Sequence, residues 1–530
     1  MNQNENAILK EKTCIGIEFG STRIKAVLTG ADHKPLAAGV HDWCNQLEDG
    51  VWTYSLEAVK SGLQGAFADL MRNVEQQYGV KLTTCSGFGI SAMMHGYLAF
   101  GADGSLLVPF RTWRNTMTEQ AAGKLTESFS FNIPQRWSIA HLYQAILNGE
   151  AHVGQIRFLT TLAGYVHWLL TGKKVLGIGD SSGMFPIDPQ TGSYDTGMCD
   201  AFARLTADTA FQQKITDILP EIVPVGEIAG TLTAEGAALL DPTGTFGGAI
   251  PFCPPEGDAQ TGMVATNSIT PKTGNVSAGT SIFSMIVLER NLSAVHREID
   301  IVTTPNGDPV AMVHCNNCSS DLDAWVNVFG QVLKAAGADL PKGQLYDTLY
   351  ALAAEGSPDC GGIVSYNYFA GEEITGLTSG KPLLLRAPDA PFSAANLMRS
   401  LVYSCMATLK IGNDILTQQE HVQLDRIYAH GGLFKNPLVT QPALAAVLNA
   451  DVTLMQSAGE GGAWGIALLA AYMVRDHRAE SLSDYLNRHV FAGMQGVTVS
   501  PAQTDLDGIR AYMNAYCAGL AAERAAVSEI

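Results

Sequence analysis

Basic residues are scarce in this chain: 33 Lys and Arg stand against 51 Asp and Glu, for a formal net charge of −18. No dense Lys/Arg cluster occurs, which argues against nucleic acid or an anionic membrane as a partner. Charged residues of both signs reach only 16% while apolar residues make up 46%, a balance that excludes a disordered chain or a coiled coil. Long apolar runs are missing as well. WGIALLAAYMV from Trp464 is too short to span a bilayer. The opening MNQNENAILKEK carries no signal-peptide stretch, so a cytoplasmic location is expected. Ten cysteines are scattered along the chain. Cys315-Asn-Asn-Cys318 has no second pair at metal spacing, and reduced, idle thiols are expected rather than redox or zinc chemistry.

With 530 residues the chain is too long for one ordinary core, and two or more packed units are expected. Two stretches share one plan. In IGIEFGSTRIKAVL, Ile15, Ile17 and Phe19 alternate with smaller or polar residues, Gly20-Ser21-Thr22 turns the chain, and Ile24, Ala26 and Leu28 resume the alternation. In GNVSAGTSIFSMIV, Val276 and Ala278 precede Gly279-Thr280-Ser281 and an apolar run from Ile282. Each reads as strand, turn, strand. Glycine admits close approach of the backbone to an anion, and turn N–H groups and hydroxyls donate to phosphate oxygens. Two unrelated β-turns would look the same one at a time; a matched pair, one in each half, favours a polyphosphate gripped from two sides.

Other nucleotide and nucleophile motifs do not compete. None of the three Gly-Lys pairs, at Lys124, Lys173 and Lys381, is followed by Ser or Thr, which excludes a P-loop. Gly179-Asp180-Ser181-Ser182-Gly183 matches G-x-S-x-G, but Pro186 soon after it argues against a strand-to-helix elbow, and a loop coincidence is expected.

A repeated phosphate hairpin resembles the actin, hexokinase and Hsp70 ATPase superfamily, and further stretches resemble its FGGY carbohydrate kinases, xylulokinase-like ketose kinases above all. Ile90-Ser91-Ala92-Met93-Met94-His95-Gly96 is similar to the family's I-S-G-Q-M-H-G, which implies that Met94 and His95 line a sugar pocket. PFRTWRN from Pro109 resembles P-x-x-x-W-N-D, with Arg114-Asn115 in place of Asn-Asp, which implies Trp113, at the shared tryptophan, as a further sugar ligand. FLTTLAGYVHWLLTGK from Phe158 resembles the first FGGY signature without its lysine. PEGDAQTG from Pro255 resembles the G-G-D-x-x-x-G loop, which implies Asp258 as general base and sugar ligand. Ala259 follows it where relatives often carry Asn or Gln. IYAHGGLFKN from Ile427 resembles the adenosine loop, implying nucleotide contacts from Gly431, Gly432 and Asn436. EGGAWGIA from Glu460 resembles a small-residue helix that serves packing.

The resemblance implies an α/β fold of two actin/hexokinase-like, or ribonuclease H-like, domains with a cleft between them. The expected boundaries are 13–268 for a sugar-binding N-terminal domain, 272–480 for a nucleotide-binding C-terminal domain, and 481–530 for a C-terminal extension of unknown role. It implies ATP, held through Gly20, Ser21, Thr22, Gly279 and Thr280 as well as the adenosine loop. It implies Mg2+, with Glu18 where the family usually has Asp, and a small-molecule ketose as partner; a homodimer is left open. Three bland alternatives stand beside these roles: Asp258 as a helix N-cap, Met94-His95 as core packing, and the 427–436 segment as a plain strand-loop-helix junction. A switch-type ATPase or a non-catalytic sugar sensor would share the hairpins.

Overall fold

The computed structural model describes residues 12–455, 461–494 and 496–529, with 4, 5 and 8 ahead of them; Glu460 lies outside the described residues. The chain divides into two compact units, each assembled from separate segments: 1–270 with 300–310 and 457–493, and 271–299 with 311–456 and 494–530.

In the first unit, β1 (Cys14–Phe19) and β2 (Arg23–Thr29) form an antiparallel hairpin, from Cys14 opposite Thr29 to Phe19 opposite Ile24. β3 (Pro35–Asp42) extends it on one side. On the other, β4 (Gly87–Ala92) runs parallel to β1, followed outward by β6 (Pro251–Phe252) and β5 (Gly230–Thr231). β1 and β4 are buried on both faces, as central strands covered from two sides must be. Helix Leu56–Tyr78 covers one face, where its Phe67 meets Phe88 with ring centroids 6.3 Å apart.

Helix Gly461–Met473 covers the other face so closely that two paired glycines make room for it. A Cβ at Gly16 would lie 2.1 Å from the Ala463 carbonyl oxygen, and one at Gly89 would lie 2.6 Å from Ile466. This helix is apolar all round and buried from Gly462 to Met473, the pattern of a central helix rather than a surface one. Each large apolar side chain so buried contributes about 1.5–3 kcal/mol before entropy is charged against it. A last short strand, β7 (Glu256–Gly257), pairs with the C-terminal end of β4.

The second unit repeats the opening plan. β8 (Thr273–Ala278) and β9 (Ile282–Val287) form the hairpin, and β10 (Pro309–Cys315) lies beyond β9. β11 (Arg426–His430) runs parallel to β8, then β12 (Asp451–Met455) and β13 (Gly496–Val499) complete that side. Helix Gln503–Glu529 packs into this unit through buried Tyr512 and Tyr516, and its Asp505 pairs with Arg399 at 2.6 Å. All ten cysteines are free. Among the described residues no helix is long and apolar enough to cross a membrane.

Candidate functional site

The C-terminal end of β4 gathers much of the first unit's polar chemistry. Here the chain leaves the sheet through Met93, Met94 and His95, and both His95 (φ 66°) and Gly96 (φ 86°) take left-handed backbone. That conformation is costly for a non-glycine residue and concentrates at functional sites. β7 pairs with the same end of β4, Glu256 opposite Ser91 and Gly257 opposite Ala92, so Asp258 emerges beside Met94. The Asp258 carboxylate accepts from Met94 N–H at 3.3 Å and from Ala259 N–H at 2.9 Å. Asp258 is the first residue of helix Asp258–Ala265, and the N-cap position belongs to Gly257, so the capping alternative does not hold. Burial pushes its pKa up to about 6, against the pull of those N–H groups.

His95 is 5% exposed, and its Nδ1 lies 3.1 Å from the Gly183 carbonyl oxygen. A carbonyl only accepts, so Nδ1 carries the hydrogen and Nε2 is left as an acceptor. Burial, with the charge of Arg136, drives the imidazole pKa down to about 3, and the ring is neutral. Trp137 stacks on it, centroids 6.1 Å apart and planes 18° from parallel.

The Gly179–Gly183 stretch, expected to be a loop, is the buried helical turn Ile178–Ser182. Glu256 accepts from the N–H groups of Gly179 and Asp180 at 3.4 and 2.8 Å, satisfying donors that a helix start leaves orphaned. Asp180 accepts from the Thr161 hydroxyl at 2.6 Å through Oδ2, while Oδ1 has no partner among the described residues. Burial lifts Asp180 to about 7 and Glu256 to about 8; the charge of Asp258 adds to the first and that of Asp180 to the second. Sequence reading passed over both acids. Glu256 sat inside the PEGD stretch, but no spacing rule links it to a helix 76 residues away.

Glu18, near the end of β1, accepts from Ala463 N–H at 3.2 Å, in the first turn of helix Gly461–Met473. A Cβ at Gly462 would stand 2.6 Å from Glu18 Oε1, so a glycine there makes room for the longer acid. Burial, then the charge of Asp258, push its pKa up to about 7. The first unit therefore brings Glu18, Met94, His95 and Asp258 together. Trp113 is 37% exposed, with no hydrogen bond or ring contact among the described residues, and Arg111, two residues before it, pairs with Tyr97 just after His95-Gly96. Its neighbours are structural. Buried Asn115 accepts from Trp52 N–H and donates to Trp52 O, each at 2.9 Å, and Arg114 lies over the Trp52 ring at 4.3 Å.

At the hairpin tip of the first unit, Gly20 N–H reaches Arg23 O at 3.0 Å and leaves Ser21 and Thr22 at the apex. In the second unit Gly279 and Thr280 take the equivalent place, with Gly279 N–H on Ser281 O at 2.8 Å. A Cβ at Gly279 would meet nothing within 4 Å, and its φ is ordinary. Nothing in this fold requires glycine there. Gly431 is the opposite case: φ is 110°, and a Cβ would lie 2.2 Å from Ala278 O. Gly432 again has open space around it. Asn436 caps helix Pro437–Leu448 by accepting from Leu438 N–H at 3.2 Å, and donates to Asp347 at 2.7 Å.

Similarity to known proteins runs over almost the whole chain. A xylulose kinase of Haemophilus influenzae is 22% identical over 521 residues, 95% of this chain and 97% of its own. A ligand-bound xylulose kinase structure from Lactobacillus acidophilus superposes with a TM-score of 0.79 at 16% identity, covering 97% of this chain and 99% of that one. A gluconate kinase structure from the same organism gives 0.77 at 15%, with 98% of each chain covered. These likenesses fix the fold as the two-domain, actin/hexokinase-like α/β architecture. Residues 13–265 match the N-terminal domain of the FGGY family of carbohydrate kinases and residues 274–474 match its C-terminal domain. The chain, with its duplicated hairpin and its carboxylate at the end of β4, belongs to that family and is a sugar kinase that uses ATP as phosphate donor.

Proposed function

We propose that the protein transfers the γ-phosphoryl group of ATP to a ketose, either a pentulose such as xylulose or ribulose or a hexulose, with Asp258 as general base. The observation that carries this reading is the Asp258 carboxylate itself, held by Met94 N–H beside a neutral His95. With a pKa of about 6 it is mostly ionised at pH 7 and basic enough to take a hydroxyl proton late in a loose phosphoryl transfer. His95 Nε2 is an acceptor for a sugar hydroxyl. Trp137 Nε1, Asp180 Oδ1 and Gln260 Oε1 are buried around this cluster without partners among the described residues, and a polyhydroxylated substrate offers the complementary donors and acceptors.

Magnesium fits the acid pair. Glu18 and Asp258 are hard oxygen donors that repel each other, and among the described residues no cluster of three ligating side chains exists. Glu18 would therefore hold the ion through its water shell, where the ion supplies charge neutralisation on the phosphates. Gly20, Ser21, Thr22, Gly279 and Thr280 would meet phosphate oxygens. Gly431, Gly432 and Asn436 would border adenosine; the structural duties of Gly431 and Asn436 leave Gly432 the freest of the three. A switch-type ATPase or a sensor leaves the acid at the end of β4 without a use.

The test is ADP release from magnesium-ATP across a panel of pentuloses, hexuloses, glycerol and gluconate, with Asp258→Asn alongside. One ketose giving fast turnover that the variant loses by about 10²–10⁴-fold, ATP binding being kept, supports the reading. Turnover with glycerol or gluconate alone, or an unimpaired variant, refutes it.

A further inference from the structure

The two hairpin tips differ in how their carbonyls are held. In the first unit all three tip carbonyls are taken from one side. Trp43 Nε1–H donates to Gly20 O at 2.7 Å, the Tyr54 hydroxyl to Ser21 O at 2.6 Å, and Trp43 N–H to Thr22 O at 3.1 Å. A trans peptide is planar, with C=O and N–H pointing in opposite directions. Fixing these carbonyls therefore turns the Ser21 and Thr22 N–H groups the other way, and among the described residues neither has an acceptor. Two successive outward N–H groups form an anion-binding concavity.

We propose that Trp43 and Tyr54 are positioning residues for phosphoryl transfer, which lock the first hairpin's peptide planes so that its N–H groups face the nucleotide phosphates. The proposal rests on the phosphate role given to the hairpins above. The two side chains form one rigid piece: their rings stack with centroids 4.1 Å apart, and Trp43 also packs edge-on against Phe19 at 5.8 Å. Tyr54 is 2% exposed, and burial pushes its hydroxyl pKa up to about 12, so it remains a donor. Each acts through the main chain of the tip.

Tyr54→Phe and Trp43→Phe keep an aromatic ring for the stack and delete one donor each. Affinities for ATP, adenosine and sugar, the separate KM values, thermal denaturation and hydrogen–deuterium exchange of the peptide spanning the tip are compared with the parent protein. The expected result is fivefold to tenfold weaker ATP binding and a raised KM for ATP in each variant, with adenosine affinity, sugar KM and melting temperature unchanged. ATP, but not adenosine, should protect the tip amides in the parent and do so less in the variants. If ATP fails to protect the tip in the parent, the phosphate reading falls and this proposal with it. If the parent is protected and the variants bind ATP equally well, the locking role alone is overturned. A parallel loss of ATP, adenosine and sugar binding together with lowered melting temperature would reduce Trp43 and Tyr54 to packing and also overturn it.

Discussion

Side chains supply most of the first hairpin's brace and main chain most of the second's. At the second tip, Ser319 N–H and Oγ both donate to Gly279 O, at 3.2 and 2.7 Å, and Cys318 N–H donates to Thr280 O at 3.0 Å. This brace is the Cys315-Asn-Asn-Cys318 segment and the residue after it, the pair whose thiols looked idle in the sequence. Asn317 fixes it: its Oδ1 accepts from Phe369 and Ala370 N–H, each at 2.9 Å, and its Nδ2 donates to Ala370 O and Glu372. Asn367 Nδ2 adds a bond to Cys318 O at 2.8 Å. The same electrostatic end, turn N–H groups aimed away from the body of the unit, is reached by two means. One is exposed to substitution at the bracing residues themselves, the other chiefly at the asparagines that hold its segment.

The largest expected effect concerns the acid pair Asp258 and Glu18 of the first unit. Asp258 at about 6 and Glu18 at about 7 must both be ionised to act as proposed, so kcat/KM should fall at least tenfold per pH unit below 6 and level off above 8. Stability runs the other way. A carboxylate whose folded pKa is raised contributes most below its unfolded value and loses that contribution as pH rises through the folded one. The melting temperature of the ligand-free first unit should therefore drop between pH 5.5 and 8.5, measured by calorimetry.

Glycine substitutions sharpen the contrast next. Gly431→Ala adds a Cβ against Ala278 O in left-handed backbone and should cost about 2–4 kcal/mol of unfolding free energy. Gly279→Ala should leave stability within about 0.5 kcal/mol while weakening ATP binding, because the space it fills lies outside the fold. Smaller again is the difference between braces. Ser319→Ala leaves Ser319 N–H on Gly279 O and should raise the KM for ATP less than threefold, against the fivefold or more for Tyr54→Phe; equal effects would erase the distinction. Of similar size is Asn436→Ala, which removes a helix cap for about 1 kcal/mol in urea denaturation.

Much of this was legible beforehand where the signal is local. The alternation around Gly20 and Gly279 marks both hairpins, and the all-round apolar run after Gly461 marks a buried packing helix. Contacts between distant segments were not legible. Trp43 and Tyr54 lie 23 and 33 residues from the carbonyls they hold, and neither sits in a motif. Asp180 was hidden in a stretch dismissed because Pro186 follows it, although Pro186 falls beyond the end of the helical turn and does not disturb it. The resemblance implies a sugar contact from Trp113, but no motif signals that Arg114 and Asn115 beside it are committed to Trp52. A motif reports residue types in order. It does not report which side of the chain faces the site.

The most direct measurement is phosphorus NMR of wild type and Asp258→Asn with magnesium-ATP and the ketose panel. The account predicts a new phosphomonoester signal, matched mole for mole by ADP, with one or a few ketoses in the wild type and none in the variant. Inorganic phosphate appearing at the same rate with every sugar and with none, or a phosphomonoester formed equally fast by the variant, would contradict it.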